Sequence, residues 1–579
     1  MLIYDFEVFS NDWLVVILDL DAKKKHIIVN DPDKLEKIYT EHENDIWVGF
    51  NNVRYDQYIL KGILCGFNPK EVNDYIIVEQ KPGWMFSNIL RKIPTIQYDV
   101  MNTLNKGLKV YEGFQGSNIK ESEVDFNINR KLTDDEIKET IKYCEYDVEQ
   151  TFNLFIKTIN DFNAHMELVK MIEPFTLSNL SKTKAQLSAM ILQASRVNRD
   201  DEFDIILPDN LIIEKYTKVV DWYLNPENRK YHRIRNKKTG QGVVKEVNNL
   251  KINIAGVPHV YGWGGVHGAI PKYSGEGWFL NMDVASLYPS LMIEYDLLSR
   301  NCSKDGKKKY EEIYHERLKL KAEGRKKEQA PLKLVLNSTY GILKDKNNQM
   351  YDPLMANMVC IYGQLFILDL IEKLEPHCDI IQSNTDGILV KLRDYNDYNL
   401  IDDICYGWEK RTKLKLEFDE YKKVFQKDVN NYIIVDYDGK YKSKGAYVKS
   451  LDELDNDLPI VNKSLVNYMV KGIPIESTIN NCDDLMMFQK IDKISSKYDL
   501  WKQGNIIINE RVIRSFASLK ESDKGIFKYK GNSKEKLTNS SEKVFIDNGD
   551  VKSKKCPEYL DRQFYIDLAK KRLADFGGE

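Results

Sequence analysis

The sequence predicts a multidomain protein of mixed α/β and α+β class. The chain has 579 residues, and at roughly 100–200 residues per domain this length predicts about three to five domains or subdomains. It is 42% hydrophobic and 30% charged, a composition that can bury large cores and is not that of a disordered chain. Stretches typical of strands and stretches with helical periodicity follow one another along the chain.

Residues 1–165 predict an α/β domain. Runs of β-branched and aromatic residues predict strands, and apolar residues at helical spacing predict helices. Thr133, followed three residues later by Glu136, predicts a capping box at the start of the second helix. The strands are expected at 2–9, 13–20, 25–30 and 45–51, and the helices at 56–66 and 132–159.

Residues 166–275 form a connecting region of mixed pattern that ends in a glycine-rich stretch, residues 259–277. So many glycines are incompatible with a regular element, and they raise the possibility of a dinucleotide-binding loop. The GxGxxG pattern fails because His267 occupies its last position, and no strand-to-helix context surrounds it. We therefore reject a nucleotide-binding fingerprint here.

The segment 281–293, NMDVASLYPSLMI, predicts a buried strand that Pro289 ends. An unpaired carboxylate on such a strand costs on the order of several kcal/mol unless it meets a cation or a metal. Asp283 therefore marks a candidate site. Helical segments are expected at 308–341 and 356–376, a hairpin with a Thr-Asp-Gly turn at 380–392, and a mixed, lysine-rich region at 451–579.

The net charge of −3 excludes a globally basic nucleic-acid coat, so a polyanion site would need local clusters. Residues 303–333 carry eleven Lys/Arg against six Asp/Glu, and residues 229–245 carry seven Lys/Arg and no acid. Each cluster alone is typical of a solvated helix face or hairpin. Two such clusters beside the acidic motifs below favour phosphate binding.

The cysteines and the N-terminus predict a cytoplasmic protein. The eight cysteines are scattered without zinc spacing, which is typical of a reducing compartment. The N-terminal stretch has no basic segment, and Asp5 and Glu7 interrupt its apolar run, so it is not a secretion signal. No run of about 18 apolar residues occurs, so we expect no membrane span.

The first acidic constellation lies in the N-terminal domain. Asp5 and Glu7 are two apart on a strand, so both side chains point to one face and need cations there. The pair alone is weak evidence, because it recurs at Asp134/Glu136 and at 200/202, and it could merely cap an edge strand.

Two further groups of residues strengthen that constellation. Asp56 follows a strand end, and Asp147 lies four residues after Tyr143 on one helix face. Four carboxylates on three elements could hold two divalent metals about 4 Å apart, the arrangement for in-line attack on a phosphodiester. Tyr143 would orient the attacking water, and Asn52 and Tyr55 could grip a terminal nucleotide.

The second constellation joins Asp283 to Asp386 at the hairpin turn. Two aspartates from adjacent strands at the base of a cleft predict a second two-metal site, which would activate a hydroxyl and hold a triphosphate. A nucleotide-capturing helix would contribute cations and a stacking ring. Its face is formed by Lys333, Asn337 and Tyr340, and the cationic pair Arg317 and Lys321 could extend it. The alternative is a satisfied core aspartate, a solvated lysine and a packing tyrosine.

These motifs resemble those of family B DNA polymerases with a proofreading exonuclease. The resemblance spans residues 1 to about 450 and rests on six motifs in the family's order. The polymerase motifs are Asp283-x-x-Ser-Leu-Tyr-Pro-Ser290, Lys333-x-x-x-Asn-Ser-x-Tyr-Gly341 and Asn384-Thr-Asp386, and the exonuclease motifs are Asp5/Glu7, Asn52 with Asp56, and Tyr143 with Asp147.

The resemblance implies a ribonuclease-H-like exonuclease domain followed by a right-hand polymerase. It implies an exonuclease at 1–165, a connecting region at 166–275, a palm at 276–300 and 342–450, fingers at 301–341 and a thumb at 451–579. It also implies two Mg²⁺ ions at each site, with Mn²⁺ as a substitute. The implied partners are primer–template DNA, dNTPs and replisome proteins such as a helicase and a single-strand-binding protein, around a monomer outside any membrane.

The resemblance also assigns roles residue by residue. Asp283, Asp386 and the Val284 carbonyl would bind the polymerase metals, and Asp5, Glu7, Asp56 and Asp147 those of the exonuclease. Tyr288 would be the steric gate that rejects a 2′-hydroxyl. The remaining substrate-binding positions would be Ser286, Leu287, Lys333, Asn337, Tyr340, Gly341 and Thr385, with Lys444 and Tyr447 gripping the primer end through a pattern one residue longer than the family's.

The sequence departs from the family in two respects. The third polymerase motif usually begins with Asp, and Asn384 in its place removes one negative charge, which should weaken metal affinity. The motif intervals of 50 and 53 residues leave little room for the insertions of protein-primed phage relatives, which argues against terminal-protein priming and strong strand displacement. The compact length and the abundance of Lys, Asn, Ile and Tyr indicate a phage or mobile-element enzyme in a bacterial host.

Three alternatives stay open. Asn384 would suit an exonuclease whose polymerase half has decayed into a DNA-binding platform. A non-catalytic scaffold is disfavoured, because binding a polyanion gains nothing from buried acids. A primase-like role is disfavoured by Tyr288, because a bulky gate should exclude ribonucleotides.

Overall fold

The computed structural model describes the backbone of residues 1–229, 231–235, 242–246 and 249–578, and the side chains of 1–229 and 249–578. Apart from Arg229, the side chains of the basic cluster at 229–245 therefore lie outside the described residues. The chain divides into two compact units. The first contains Met1–Leu187, Leu451–Leu458 and Asp483–Asp561, and the second Ser188–Ser450, Pro459–Cys482 and Arg562–Glu579.

The described strands and helices follow the chain in this order. The strands are β1 (Leu2–Val8), β2 (Trp13–Asp19), β3 (Lys24–Val29), β4 (Ile46–Gly49), β5 (Ile96–Asp99), β6 (Tyr231–Arg235), β7 (Gly242–Glu246), β8 (Leu250–Ile254), β9 (Val257–Gly262), β10 (Gly265–Ala269), β11 (Tyr273–Val284), β12 (Cys378–Ser383), β13 (Gly387–Leu392), β14 (Leu416–Asp428), β15 (Asn431–Val435), β16 (Tyr441–Lys444), β17 (Lys490–Lys493), β18 (Leu500–Gln503), β19 (Ile506–Ile508), β20 (Val512–Ala517), β21 (Ile526–Lys530), β22 (Ser533–Lys536) and β23 (Val544–Ile546). The helices are α1 (Pro32–Glu41), α2 (Asp56–Leu64), α3 (Pro69–Ile77), α4 (Leu108–Phe114), α5 (Asp134–Lys157), α6 (Ile159–Lys170), α7 (Lys184–Ile191), α8 (Thr217–Leu224), α9 (Leu287–Glu294), α10 (Lys304–Ala322), α11 (Lys326–Ile342), α12 (Pro353–Leu374), α13 (Tyr398–Thr412), α14 (Pro459–Lys471), α15 (Ile475–Asn480) and α16 (Arg562–Ala574).

The first unit is built on a five-stranded sheet of order β3-β2-β1-β4-β5. β1 pairs antiparallel with β2 and parallel with β4. This central strand therefore joins the antiparallel part of the sheet to the parallel part. Tyr4 and Phe6 of β1 enter an apolar core with Trp47, while α5 packs across β1 and β2. The predicted capping box is confirmed, because Thr133 accepts from the Glu136 N–H and the Glu136 carboxylate accepts from the Thr133 N–H.

The segment 483–561 adds two small sheets to the first unit, β17-β20-β23 and β19-β18-β21-β22. The compact units therefore split the region 451–579, which the sequence assigned to one thumb domain. Residues 459–482 and 562–579 belong to the second unit instead, where α14 and α16 pack together. The functional names of the predicted domains stay predictions.

The second unit contains a nine-stranded sheet of order β16-β15-β14-β11-β13-β12-β10-β9-β8. β8 to β10 come from the region predicted only as a connector. α12 lies in the core of this unit, and among the described residues it alone is long and apolar enough to cross a membrane, with its apolar window wholly buried. The hairpin predicted at 380–392 is confirmed as the antiparallel pair β12 and β13.

The strand that was predicted to run from residue 281 until Pro289 ends it is wrong beyond Val284. β11 ends at Val284, and α9 begins at Leu287 with Pro289 in its first turn. A proline is tolerated there because the first-turn N–H groups have no intrahelical acceptor. The helical segment 308–341 is likewise two helices, α10 and α11, separated at Gly324, whose φ of 72° is left-handed.

Candidate active sites

In the first unit, β1 carries Asp5 and Glu7 on the face opposite the apolar core, where α5 covers them. The Cys144 thiol of α5 donates to the Asp5 carbonyl oxygen at 3.3 Å. Ligand atoms of Asp5, Glu7 and Cys144 all lie within 4.8 Å of one another. The strand and the helix therefore converge on a group that could bind a metal.

Two further carboxylates complete this cluster, as the sequence predicted. Asp56 starts α2, and its Oδ1 accepts from the Phe6 N–H at 3.1 Å, which fixes it beside β1. Asp147 lies on α5 and is 7% exposed, while Asp56 is 2% exposed. The fold thus buries carboxylates from three elements beside one another.

Lys109 of α4 is a cluster residue that the sequence reasoning missed. Its Nζ lies 2.5 Å from Asp147 Oδ1 and 3.2 Å from Glu112 Oε1, and 4.6 Å from the centre of the Tyr143 ring. Glu112 is fully buried. The only sequence signal was the i, i+3 pair of Lys109 and Glu112, which is common on solvated helix faces.

Burial shapes the electrostatics of this cluster. Desolvation, together with repulsion by Asp56, Glu7 and Asp147, raises the pKa of Asp5. Burial and the Asp147 charge raise the pKa of Glu7, and burial raises the pKa of Asp56 to about 7. For Lys109, burial lowers the pKa, but Asp147 and Glu112 outweigh burial and keep it raised. The single positive charge of Lys109 does not balance the negative charges of these carboxyl groups when they are ionised.

The residues fit divalent magnesium or manganese. Carboxylate oxygens are the hard ligands that these ions prefer. A bound cation would favour the ionised carboxylates that burial and mutual repulsion oppose. Asp5, Glu7, Asp56 and Asp147 are the residues that would hold it.

In the pair predicted to grip a nucleotide beside this cluster, Asn52 is buried and Tyr55 is partly exposed. The Asn52 side chain has no exposed surface, and its Nδ2 donates to Gln97 Oε1 at 2.7 Å. The Tyr55 hydroxyl donates to Asn73 Oδ1 at 2.7 Å. Their contacts with a nucleotide stay predictions, and in this structure Asn52 is bonded to β5 and Tyr55 to α3.

In the second unit, the paired ends of β11 and β13 bring Asp283 and Asp386 together. Asp283 lies opposite Gly387 in the register, and a Cβ at Gly387 would come within 2.0 Å of Asp283 Oδ1. A side chain at this position would therefore displace the Asp283 carboxylate, and glycine leaves it room. The Val284 N–H donates to the Asp386 carbonyl at 2.6 Å, which ties the turn to the strand.

Asn384 holds the turn that presents Asp386. Its Oδ1 accepts from the Asp386 N–H at 3.0 Å, and its own N–H donates to the Gly387 carbonyl at 2.9 Å. This is the side-chain-to-backbone turn that both Asn and Asp form. Asn384 therefore has a structural role that does not depend on charge.

Asp283 and Asp386 differ in environment. Asp283 is half-buried and accepts from Asn281 Nδ2 at 2.7 Å, and burial together with the Asp386 charge raises its pKa to about 6. Asp386 is exposed. Both line a cavity of about 240 Å³ with Asn281, Gln382, Asn384, Leu389, Tyr432, Ile434, Lys442 and Lys444. These oxygen ligands also suit Mg²⁺.

A second cavity, of about 290 Å³, adjoins the first at Asp386. The Tyr288 and Tyr340 rings lie 4.2 Å apart between their centres in its wall. Burial raises the pKa of both tyrosines, so their hydroxyls stay protonated. Its lining residues are Ser286, Leu287, Tyr288, Pro289, Leu336, Asn337, Tyr340, Thr385 and Asp386.

The cationic residues predicted on α10 and α11 lie in different environments. Arg317 Nη1 donates to Ser286 Oγ at 2.8 Å. Ser286 has a left-handed backbone conformation and immediately precedes α9. Lys333 is exposed and makes no ion pair with a described side chain. Lys321 is paired with Glu417 at 2.6 Å. Gly341 follows Tyr340 with open space beside its Cα.

The primer-gripping pair is only half brought to the cavity. Lys444 lines it, whereas Tyr447 lies between Lys427 Nζ at 4.6 Å and Arg572 Cζ at 4.4 Å from its ring centre. Lys442, which the sequence reasoning missed, also lines the cavity and pairs with Asp419 at 2.7 Å. Its alternation with Lys444 along β16 was the available signal, because such residues share one face of a strand.

Comparisons with known proteins find a likeness among solved structures. No protein-family model and no curated protein matches the chain. Among solved structures, the chain is similar to the family B DNA polymerase from the hyperthermophilic archaeon Pyrobaculum calidifontis, at 13% identity and a TM-score of 0.41, over 99% of this chain and 77% of that chain. A TM-score of this size does not establish a shared fold, so the function is inferred from the side chains above.

Proposed function

We propose that the chain is a DNA-templated DNA polymerase with a separate 3′–5′ proofreading exonuclease. The observation that carries the proposal is the convergence of Asp283 and Asp386 beside a cavity floored by Tyr288 and Tyr340. A second carboxylate cluster lies in the other compact unit. Two carboxylate centres with different surroundings suit two reactions on one kind of substrate.

The polymerase reaction would take place where the two cavities meet. Mg²⁺ held by Asp283, Asp386 and the Val284 carbonyl would supply charge for the attacking primer hydroxyl and for the leaving pyrophosphate. The Tyr288 and Tyr340 rings, which contact each other at an angle of 39°, would form an apolar wall under a deoxyribose and exclude a 2′-hydroxyl.

Polar groups around that wall would orient the dNTP. Asn337 and Thr385 offer hydrogen-bonding groups in the cavity wall. Lys333, on the same helix as Asn337, would contact the triphosphate. Arg317 would keep the start of α9 in place through Ser286.

The exonuclease would use the buried cluster of the first unit. The sheet order, with three antiparallel strands followed by two parallel ones, supports a ribonuclease-H-like arrangement. Mg²⁺ held by Asp5, Glu7, Asp56 and Asp147 would activate water for attack on the terminal phosphodiester. Tyr143 would orient that water, and Lys109 would hold Asp147 ionised and in place.

The main alternative is an exonuclease with a decayed polymerase half. Its support was Asn384, but the side chain of Asn384 caps the turn that presents Asp386. An active site needs that turn, and it needs the room that Gly387 leaves for the Asp283 carboxylate. These contacts favour an active polymerase.

The test is a gel assay with a 5′-labelled primer on a longer template, in Mg²⁺, with and without dNTPs. We expect Asp386→Asn to reduce extension by at least about 1,000-fold and to leave primer shortening intact, because one metal ligand is lost. Asp5→Ala should do the reverse. The matched controls are Asp438→Asn and Asp134→Ala, which alter exposed acids in the same units.

Two results would contradict the proposal. If Asp386→Asn also stopped shortening, the two centres would not act separately. If the unaltered protein only shortened the primer and never extended it, however much dNTP was added, the Asp283–Asp386 cleft would be a binding platform.

A further inference from the structure

A groove of about 510 Å³ in the first unit adjoins the exonuclease cluster. Lys109 and Tyr143 are among its lining residues, so it is continuous with the candidate site. Its other walls come from two distant parts of the sequence, residues 121–127 and the segment 483–561 that had been assigned to a thumb. That segment contributes Lys493, Arg511 and Val512.

The late segment is fixed to the wall that carries Lys109. The Ile119 N–H donates to the Asn548 carbonyl, and the Val551 N–H to the Gly116 carbonyl, both at 2.8 Å. The buried Arg514 guanidinium donates to the carbonyl oxygens of Gly113 and Ser117, at the end of α4 and just beyond it. The groove is therefore a built feature with a fixed second wall.

The cations of the groove are available to a ligand. Lys493 and Arg511 are exposed, and neither makes an ion pair with a described side chain. A Cβ at Gly107 would lie 3.5 Å from Lys493 Nζ. The Lys493 ammonium therefore lies beside Gly107, which precedes Lys109 by two residues in the sequence.

The acids of the groove are already engaged. Glu121 Oε1 accepts from the Arg511 N–H at 2.7 Å and the Val512 N–H at 3.2 Å. Asp125 Oδ1 accepts from the Asn127 backbone and side-chain amides, both at 2.9 Å.

An aromatic surface accompanies these cations. Phe126 is 39% exposed in the groove wall, and its ring stacks on the buried Phe9 with centres 5.0 Å apart and planes 16° apart. The contact with Phe9 holds the ring in a fixed orientation with one face open. An exposed ring beside unpaired cations is the combination that binds single-stranded nucleic acid without sequence preference.

We propose that this groove binds the single-stranded 3′ end of a primer and guides it to the exonuclease cluster, with Phe126 stacking on a base and Lys493 and Arg511 contacting phosphates. The inference rests on the proposed exonuclease function. It assigns a substrate-binding role to the segment 483–561, which no sequence pattern connects with that reaction.

The experiment measures single-turnover degradation of 5′-labelled oligo(dT) in Mg²⁺ at several protein and salt concentrations. The variants of the full chain are Lys493→Gln/Arg511→Gln and, separately, Phe126→Leu, which keeps an apolar contact with Phe9. The matched control is Lys530→Gln/Lys534→Gln, which removes two exposed lysines from the same segment outside the groove. Extension of a matched primer with dNTPs is measured on every variant.

We expect each groove variant to raise the protein concentration for half-maximal rate by about 10-fold while the maximal rate and primer extension change little. The salt dependence of the double variant should become shallower, by about 0.7 in the logarithmic slope for each phosphate that no longer meets a cation. The control should match the unaltered protein.

Two failures can be distinguished. Equal concentration dependence in the groove double variant and the control would overturn the groove proposal while leaving the exonuclease intact. If the unaltered protein failed to degrade oligo(dT), or if Asp5→Ala degraded it equally well, the proposed exonuclease itself would be rejected.

Discussion

Both carboxylate centres hold negatively charged groups close together, but their surroundings differ. In the first unit, Glu7, Asp56 and Asp147 are each buried to more than nine-tenths, and Lys109 lies among them as an internal cation. In the second unit, Asp386 is exposed, and lysines lie at the cavity wall. The first centre depends on packing to place its charges, and the second depends on a turn at the surface of a sheet.

This difference teaches where each centre is vulnerable. A buried cluster loses its geometry when the surrounding packing is disturbed, and its protonation state changes near neutral pH because desolvation disfavours the ionised form. In the second centre the exposed Asp386 is screened by water and salt, so adding or removing a charge beside it has a smaller effect. Substitutions at and around each centre can test this contrast.

The largest effect is expected from Arg514→Ala. The Arg514 guanidinium is fully buried and donates to Gln489 and to the carbonyl oxygens of Gly113, Ser117 and Gly549, among others. Its loss leaves several buried acceptors unsatisfied and should lower the free energy of unfolding of the first unit by about 3–5 kcal/mol. Denaturant unfolding measures this, and primer shortening should fall with it.

The matched control is Arg393→Ala. Arg393 also donates to carbonyl oxygens, those of Pro376 and Cys378, but its side chain is 51% exposed. We expect its loss to cost less than about 1 kcal/mol. Equal losses in the two variants would show that Arg514 is not a buried anchor of the Lys109 wall.

The next effect is expected from Lys109→Met, which keeps the length of the side chain and removes its charge. Lys109 lowers the pKa of Asp147, Asp5 and Glu7 against the effect of burial. Without it these carboxyls take up protons more readily, so primer shortening at pH 7 should fall by about 100-fold. The loss should be smaller at pH 9.

The control for that variant is Lys142→Met, because Lys142 pairs with Glu139 at the surface, at 3.4 Å. Measurement of the shortening rate from pH 6 to pH 9 separates the two explanations for a loss. A rate that stayed equally low at every pH would mean that Lys109 supports the fold of the site and not its charge state.

The buried cluster also predicts a pH dependence of stability. Burial raises the pKa of Asp56 from 3.8 to about 7, so between these values the folded state binds more protons than the unfolded state. Stability should therefore fall as pH rises, by about 2 kcal/mol between pH 5 and pH 7 for this group without divalent metal. Added Ca²⁺, used as a non-catalytic probe, should restore more stability at pH 7 than at pH 5, because it binds the ionised cluster.

Chemical unfolding of Asp56→Asn and of the surface control Asp134→Asn, each compared with the unaltered protein, isolates this contribution. The pH slope should become shallower only in Asp56→Asn. A slope unchanged by Asp56→Asn would mean that the proton is held elsewhere in the cluster.

Local patterns predicted several elements well, because their signals lie within a few residues. The capping box at Thr133 and the hairpin around Asp386 are examples, and both are confirmed. The onset of α9 at Leu287 was missed because an apolar run does not distinguish a buried strand from a buried helix. Lys109 and the placement of 483–561 were missed because both depend on contacts between residues far apart in the sequence, which no local periodicity reports.

The smallest effect is expected from Asn384→Asp, which adds a negative charge beside Asp283 and Asp386 in the exposed centre. An aspartate can accept the same Asp386 N–H, so the turn should survive. The Mg²⁺ concentration for half-maximal extension should fall by about 2- to 5-fold, because the added charge is screened by water. Asn430→Asp, at an exposed turn of the same unit, is the control. A lower Mg²⁺ requirement with unchanged maximal rate would show that the asparagine tunes metal affinity, whereas a weaker affinity for Mg²⁺ would show that its amide is needed at this position and would contradict the charge argument.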